Sequence, residues 1–267
     1  MAELSPKRQL RLLNGIVNRI RRVGVELEGG WTYPPADIPI EHDGSVHVKP
    51  PTKVVDANVL LGMDAAAANR MTIKAAPRFV MGEIPTPRPG LDIKDVDAWI
   101  KKYYPQVVNE TCGLHVHMSL FRKLHYQQLM TPAFTGAMVK SLLEWAEVEK
   151  LAKKHPIWDR LLNPNHDHCA HTYCGDKQVM MTKKDYHSRG KPHSRYTAIN
   201  YCMGQHGTVE CRLLPMMETP DQGIRAVMCV IDTTNKFLSK IRQKEMRSGG
   251  AVPIRSEIIQ EFHKRIR

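Results

Sequence analysis

The chain has 267 residues, of which 42% are hydrophobic, enough to bury the core of one large domain or two small ones. No stretch approaches the roughly 18 uncharged apolar residues of a membrane span, and the N-terminal residues lack the apolar run of a secretory signal. The net charge of +12 favours anionic partners, and six cysteines without regular spacing indicate reduced thiols in a cytoplasmic protein.

The first part of the chain mixes helical and strand patterns. Apolar residues at helical spacing predict a basic helix over residues 5–22, and alternation then predicts a strand over 23–31. A turn at residues 42–45 leads into a predicted short strand over 46–49, and an alanine-rich helix is predicted over 54–69. Glu83 is placed at the end of a strand, before a proline-rich loop. A helix with acidic residues in its first turn follows over 92–104.

The second part predicts three strands separated by helices. The first strand covers 112–120, and a helical region over 123–155 is broken at Pro132. A loop over 156–194 precedes a hairpin of strands at 196–203 and 208–214, and helices are predicted at 220–241 and 253–266. Strands scattered among helices, with a hairpin, favour an α+β fold built on a mainly antiparallel sheet with flanking helices.

The most informative segment is the strand around His115, His117 and Ser119. Alternation places these three side chains on one face, while the residues between them are apolar and face the other way. Two imidazoles and a hydroxyl in one row can ligate a metal and contact a phosphate. Gly113 beside the row indicates a close backbone approach.

Two other predicted strands carry polar pairs at the same spacing, Glu26 with Glu28 and Glu210 with Arg212. Each pair alone is also compatible with a solvated strand face or an exposed salt bridge worth less than about 1 kcal/mol. If the pairs line a cleft, the carboxylates suit Mg²⁺ or Mn²⁺ and the arginine suits a phosphoryl group. Glu83 lies at the mouth of the proline-rich loop, where ligands are often bound.

A cluster of histidines and cysteines lies between residues 166 and 174. Its residue types resemble zinc ligands, but the spacing is too dense for a standard site and no second Cys-x-x-Cys follows. A polar loop is the favoured interpretation, with a structural zinc ion as the alternative.

The order of these motifs resembles the amidoligase family, the small relatives of glutamine synthetase. The matching segments are GVELEGGW (24–31), HDGSV (42–46), GEIPTPRP (82–89), CGLHVHMSL (112–120), RYTAINY (195–201) and TVECRLL (208–214). The resemblance implies one catalytic domain over 1–267, with core motifs at 24–214 and a helical C-terminal region at 220–267. It also implies a glutamine synthetase-like curved antiparallel sheet around divalent ions.

The activity implied is an ATP-dependent carboxylate–amine ligase. ATP would phosphorylate a carboxylate, and an amine would displace phosphate to form an amide or isopeptide bond. By matching position, Glu28 and Glu83 would hold an Mg²⁺ or Mn²⁺ ion near the acceptor. The ion on the ATP phosphates would be held by Glu26, His115 and Glu210.

The remaining matching positions indicate residues for nucleotide binding, phosphoryl transfer and proton transfer. His117 and Ser119 would contact the nucleotide, and Arg212 and Arg195 would stabilise the transferring phosphoryl group. Asp43 is a candidate for the base that takes the proton of the amine. The chain departs from glutamine synthetase at Thr208, where that enzyme has a further arginine; a loop lysine (Lys177, Lys183 or Lys184) would be a replacement.

Other function classes stay open at this level. The charge of +12 and the basic residues 236–267 are compatible with a nucleic-acid-binding or nucleic-acid-modifying protein, whose affinity would fall steeply with salt. A metal-dependent hydrolase could use the same carboxylates and histidines. The expected partners of a ligase are a small-molecule or peptide carboxylate and an amine, with nucleic acid and an oligomeric state left open and no membrane.

Overall fold

The computed structural model describes residues 18–49, 79–175, 178, 196–203 and 206–248, with only the backbone of 241–248. Its strands are β1 (Ile20–Trp31), β2 (Val80–Pro85), β3 (Gly113–Leu120), β4 (Ile199–Cys202) and β5 (Thr208–Pro215). Its helices are α1 (Val96–Tyr103), α2 (Lys123–Leu129), α3 (Pro132–Val148), α4 (Ile157–Leu162) and α5 (Pro220–Ser248), and a 3₁₀ turn (Ile93–Asp95) precedes α1.

The five strands form one open antiparallel sheet in the order β2-β1-β3-β5-β4. The two long central strands, β1 and β3, pair over most of their length, from Ile20 opposite Leu120 to Leu27 opposite Leu114. The expected α+β fold with a mainly antiparallel sheet and flanking helices is therefore confirmed at this level.

One face of the sheet is apolar and forms the core. Val23, Val25 and Leu27 of β1 are fully buried there, as are Leu114 and Val116 of β3. Helix α5 packs along this face and contacts α1, α2 and α3. Burial of the alternating apolar positions explains why the strand predictions around β1 and β3 are correct. No helix in the described part of the chain is long and apolar enough to cross a membrane.

Several local predictions are wrong. The helix predicted over 5–22 does not include Ile20–Arg22, which extend β1, and its residues 5–17 lie outside the described residues. The segment 46–49 is not a strand, although Val46 and Val48 are buried. The loop predicted over 156–194 contains the short helix α4. The predicted helices 54–69 and 253–266 lie outside the described residues.

Other boundaries shift while the element type is correct. The region 123–155 forms two helices, α2 and α3, which separate at Met130 and Thr131 just before Pro132. Thr131 caps α3, since its side-chain oxygen accepts a hydrogen bond from the backbone N–H of Phe134. Strand β4 begins only at Ile199, and α5 continues to Ser248.

Candidate metal centre

The strand register places the predicted polar pairs next to one another on the second face of the sheet, called here the polar face. Glu26 of β1 lies opposite His115 of β3, and His117 lies opposite Glu210 of β5. Glu28 lies opposite Glu83 of β2. Because directly opposed residues share a face, four strands contribute to one polar cluster.

A first subset of this cluster, the His115 group, consists of Glu26, His115 and Glu210. One ligand atom of each residue lies within 4.8 Å of the others. His115 Nδ1 is 3.1 Å from Glu26 Oε2 and 3.7 Å from Glu210 Oε1. His115 and Glu210 are almost fully buried, whereas Glu26 is partly exposed.

A second subset, the Glu83 group, consists of Glu28, Asp43 and Glu83, again with one ligand atom of each within 4.8 Å of the others. Glu28 is buried, and its Oε2 accepts a hydrogen bond from the backbone N–H of Gly113. Asp43 Oδ1 accepts hydrogen bonds of 2.7 Å from both the N–H and the hydroxyl of Ser45. Asp43, considered above as a base, thus lies among carboxylates that could bind a metal.

Gly113 connects the two groups sterically. A Cβ atom at this position would lie 2.5 Å from His115 Nε2 and 3.0 Å from Glu28 Oε2. The close backbone approach expected at Gly113 is therefore present, and a side chain there would displace a residue from each group.

The electrostatics of the His115 group are dominated by charge pairing. Burial raises the pKa of Glu210, but Arg212 and the two imidazoles outweigh it and lower this pKa to about 2. Burial likewise opposes ionisation of Glu26, yet His117 and His115 hold its pKa well below its usual range. Burial lowers the pKa of His117, but Glu26 and Glu210 raise it to about 9. Without a metal, cationic side chains thus balance these carboxylates.

In the Glu83 group, burial and repulsion between carboxylates prevail at Glu83. Burial raises the pKa of Glu83 to about 8, and the neighbouring carboxylates of Glu26, Asp43, Glu28 and Glu41 add to the effect. Like charges held in a partly desolvated site favour either a bound proton or a bound cation.

Arg212 reaches the site from an irregular part of β5. Between the pairs Leu114–Leu214 and Val116–Cys211, β5 carries one more residue than β3, so it forms a bulge opposite His115. Arg212 Nη1 lies 2.7 Å from Glu210 Oε1 and 3.5 Å from His115 Nδ1. The cation therefore borders the His115 group directly.

A residue that the sequence did not single out, Arg160 of α4, supports this bulge from behind. Arg160 is 2% exposed, and its guanidinium donates to the carbonyls of Arg212 (3.3 Å) and Leu214 (3.1 Å). It also donates to the carbonyl of Cys112 (3.2 Å), just before β3. A buried arginine that satisfies backbone carbonyls at two strand ends gives no pattern in the sequence.

Arg160→Met should lower the free energy of unfolding by about 3 kcal/mol or more, because several buried carbonyls lose their donor at once. Urea denaturation of the metal-free protein measures this change. Arg160→Lys keeps one charge but reaches fewer carbonyls, so its loss should be smaller. Equal stability of Arg160→Met and the wild type would contradict the supporting role.

Asn200 is a second residue of the site that the sequence analysis left without a role. It lies opposite Glu210 in the β4–β5 hairpin, and its Nδ2 donates to Glu210 Oε2 at 2.9 Å. Its Oδ1 accepts from Thr197 and Gln178, which locks the amide orientation. The sequence predicts the hairpin without a register; pairing Cys202 with Thr208 would have placed Asn200 opposite Glu210.

The remaining predicted residues are placed less centrally. His117 lies between Glu26, with Nε2 3.0 Å from Oε1, and Thr208, whose hydroxyl is 3.2 Å from Nδ1. Ser119 lies one row further along β3 and is 3.5 Å from the carbonyl of Arg22, away from both carboxylate groups. Arg195 and the three loop lysines lie outside the described residues.

The His and Cys residues of 166–174 do not form a metal group within the described part of the chain, where only the His115 and Glu83 groups do. Cys169 is buried, with Sγ 3.9 Å from the carbonyl of Arg160, and His171 Nε2 lies 2.9 Å from the same carbonyl. This loop therefore packs around Arg160.

The two groups fit divalent ions by donor chemistry and by spacing. Carboxylate oxygens with one imidazole suit Mg²⁺ or Mn²⁺, and the imidazole in the His115 group is better matched to Mn²⁺. Oxygens bound to one ion at about 2.1 Å lie within about 4.2 Å of each other, so small side-chain rotations would close each group.

The chain matches no protein-family model, no curated protein and no solved structure.

Proposed function

We propose that this protein is an ATP-dependent carboxylate–amine ligase of the amidoligase type, with a glutamine synthetase-like sheet as its catalytic domain. The observation that carries the proposal is the pair of adjacent groups on the polar face, each able to hold a divalent ion, with Arg212 beside one of them. A single ion site would serve many functions, whereas two adjacent sites bordered by an arginine are typical of phosphoryl transfer.

In this proposal each group has a separate task. Glu26, His115 and Glu210 would hold Mg²⁺ or Mn²⁺ on the ATP phosphates, and Glu28 and Glu83, with Asp43 beside them, would hold an ion near the acid. Bound metal would neutralise phosphate charge and polarise the reacting oxygens. Arg212 would stabilise the charge on the phosphoryl group as it moves to the carboxylate and forms the acyl phosphate. Asn200 fixes Glu210 for this purpose.

The second half of the reaction needs a proton acceptor. When the amine attacks the acyl phosphate, the C–N bond forms, the bond to phosphate breaks, and the amine loses a proton. Asp43 is suited to accept this proton, because Ser45 binds Oδ1 and leaves Oδ2 for the substrate. Its hydrogen bonds to Ser45 outweigh the effect of burial and lower the pKa of Asp43, which makes it a weak base when metal is absent.

The first experiment is calorimetric titration of ATP into the protein with and without Mg²⁺. The proposal expects binding that requires the metal. ADP and phosphate should then be released only when an acid and an amine are both present. A well-folded protein that binds no ATP under either condition would contradict the ligase.

The same assay separates the alternative functions. Release of phosphate from phosphoesters without any amine would favour the metal-dependent hydrolase. Binding of DNA or RNA that falls steeply with salt, together with no ATP binding, would favour the nucleic-acid-binding protein.

A further inference from the structure

The polar face has an acidic end and an end with few charges of its own. Beyond the His115 group the strands carry His117, whose Nε2 already lies 3.0 Å from Glu26 Oε1, and the uncharged residues Gly24, Ser119 and Thr208. Arg22 continues the β1 row, but it forms an ion pair of 2.7 Å with Asp92. Neither His117 nor Arg22 is therefore an uncommitted cation at this end.

A turn outside the sheet brings an arginine to this position. Residues Pro87–Gly90 form a tight turn, closed by a hydrogen bond of 2.9 Å from the N–H of Gly90 to the carbonyl of Pro87. Gly90 has a φ of +90°, and a Cβ there would lie 3.0 Å from the carbonyl oxygen of Val23. Arg88 is the exposed second residue of this turn.

The turn is fixed to β1 on both sides of Gly24. Leu91 and Val23 exchange two backbone hydrogen bonds of 2.8 and 2.9 Å. Thr86 N–H donates to the carbonyl of Val25, and the Thr86 hydroxyl accepts from Val25 N–H. Arg88 is thereby held near Gly24, one row, or about 7 Å, along the strand from Glu26.

The side chain of Arg88 points towards the polar cluster. Its Nη2 lies 3.1 Å from His206 Nδ1, and the His206 ring stands edge-on to His117 with 6.2 Å between centroids. Among the described residues, no carboxylate lies within 4 Å of the Arg88 guanidinium. An arginine bound to an imidazole keeps its full charge and most of its donors for an anion.

We propose that Arg88, oriented by His206, is a phosphate-binding residue that holds the polyphosphate tail of the nucleotide at the end of the polar face opposite the Glu83 group. This inference rests on the proposed function. A planar guanidinium can pair with phosphate oxygens through two parallel hydrogen bonds. Arg88 lies on the side of the His115 group away from the Glu83 group, so the Glu83 group stays available for the second substrate.

The test compares wild type, Arg88→Met, Arg88→Lys and Lys140→Met, the last removing an exposed charge on α3. Calorimetry measures the Kd of ATP and of inorganic triphosphate in Mg²⁺, and separately the Kd of Mn²⁺ alone. Arg88→Met should raise both phosphate Kd values about tenfold or more, with Arg88→Lys intermediate. Lys140→Met and the binding of Mn²⁺ alone should be unchanged.

Two results would overturn the inference while leaving the ligase proposal intact. One is wild-type affinity of Arg88→Met for triphosphate, whether or not ATP binding weakens, and the other is an equal loss of Mn²⁺ binding. A wild-type protein that binds neither ATP nor triphosphate would overturn both. Because Arg88 is exposed on a turn, its replacement leaves the core packing untouched.

Discussion

Glu210→Gln should weaken metal-dependent ATP binding by about 100-fold or more, since even partners outside the first coordination sphere of a metal contribute about 10- to 100-fold. Glu210 accepts hydrogen bonds from Asn200 on Oε2 and from Arg212 on Oε1. A glutamine has a single acceptor oxygen, so one donor loses its partner and a candidate metal ligand disappears. Calorimetric titration of ATP with Mg²⁺ measures the change.

The matched control is Glu144→Gln, which makes the same substitution on the exposed surface of α3. Glu144→Gln should bind ATP and metal like the wild type, and circular dichroism should show both variants folded. If Glu210→Gln binds ATP with wild-type affinity while remaining folded, the nucleotide does not lie at the His115 group.

Binding of Mn²⁺ or Mg²⁺ should release about one proton near pH 7 from Glu83, whose pKa burial and neighbouring carboxylates raise to about 8. A protonated carboxyl cannot ligate the ion, so affinity should rise as pH increases from 6 to 9. Calorimetry in buffers of different ionisation enthalpy measures the released proton. Glu83→Gln should remove the part of the release that comes from Glu83, and Glu144→Gln should retain it.

The raised pKa of Glu83 also affects the stability of the metal-free protein. In the unfolded chain Glu83 loses its proton near its ordinary pKa of 4.5, while the folded protein keeps that proton until about pH 8. Between these values the folded state binds more protons, so the contribution of Glu83 to stability falls as pH rises. Urea denaturation should show this fall in the wild type relative to Glu83→Gln. Identical pH profiles would contradict the raised pKa.

Much of the sheet is predictable from local patterns. Alternation of apolar residues gave the correct strands at β1 and β3 because one face of each is fully buried, as Val25 and Leu114 illustrate. The errors lie where pairing in the sheet differs from what the local pattern predicts. Ile20–Arg22 follow a helical pattern, yet pairing with the end of β3 extends β1 through them. Val46 and Val48 alternate like a strand, but lie outside every strand of the described sheet.

The candidate site is likewise predictable only in part. Side chains alternate between the two faces of a strand, so the residues that share a face with Glu26 or with His115 can be assigned from the sequence alone. Grouping them needs the strand order. Only that order places Glu28 against Glu83, and only the path of the loop brings Asp43 to them.

The residues around the site depend most strongly on tertiary structure. Arg160 and Arg88 have no periodic signal, because one is defined by the carbonyls of a bulge and the other by a turn fixed to β1. The sequence by itself therefore determined the fold class, the two faces of the central strands and the chemistry on the polar face. The tertiary structure decided which side chains could share an ion and which arginines lie beside them, since these depend on contacts between residues far apart in the chain.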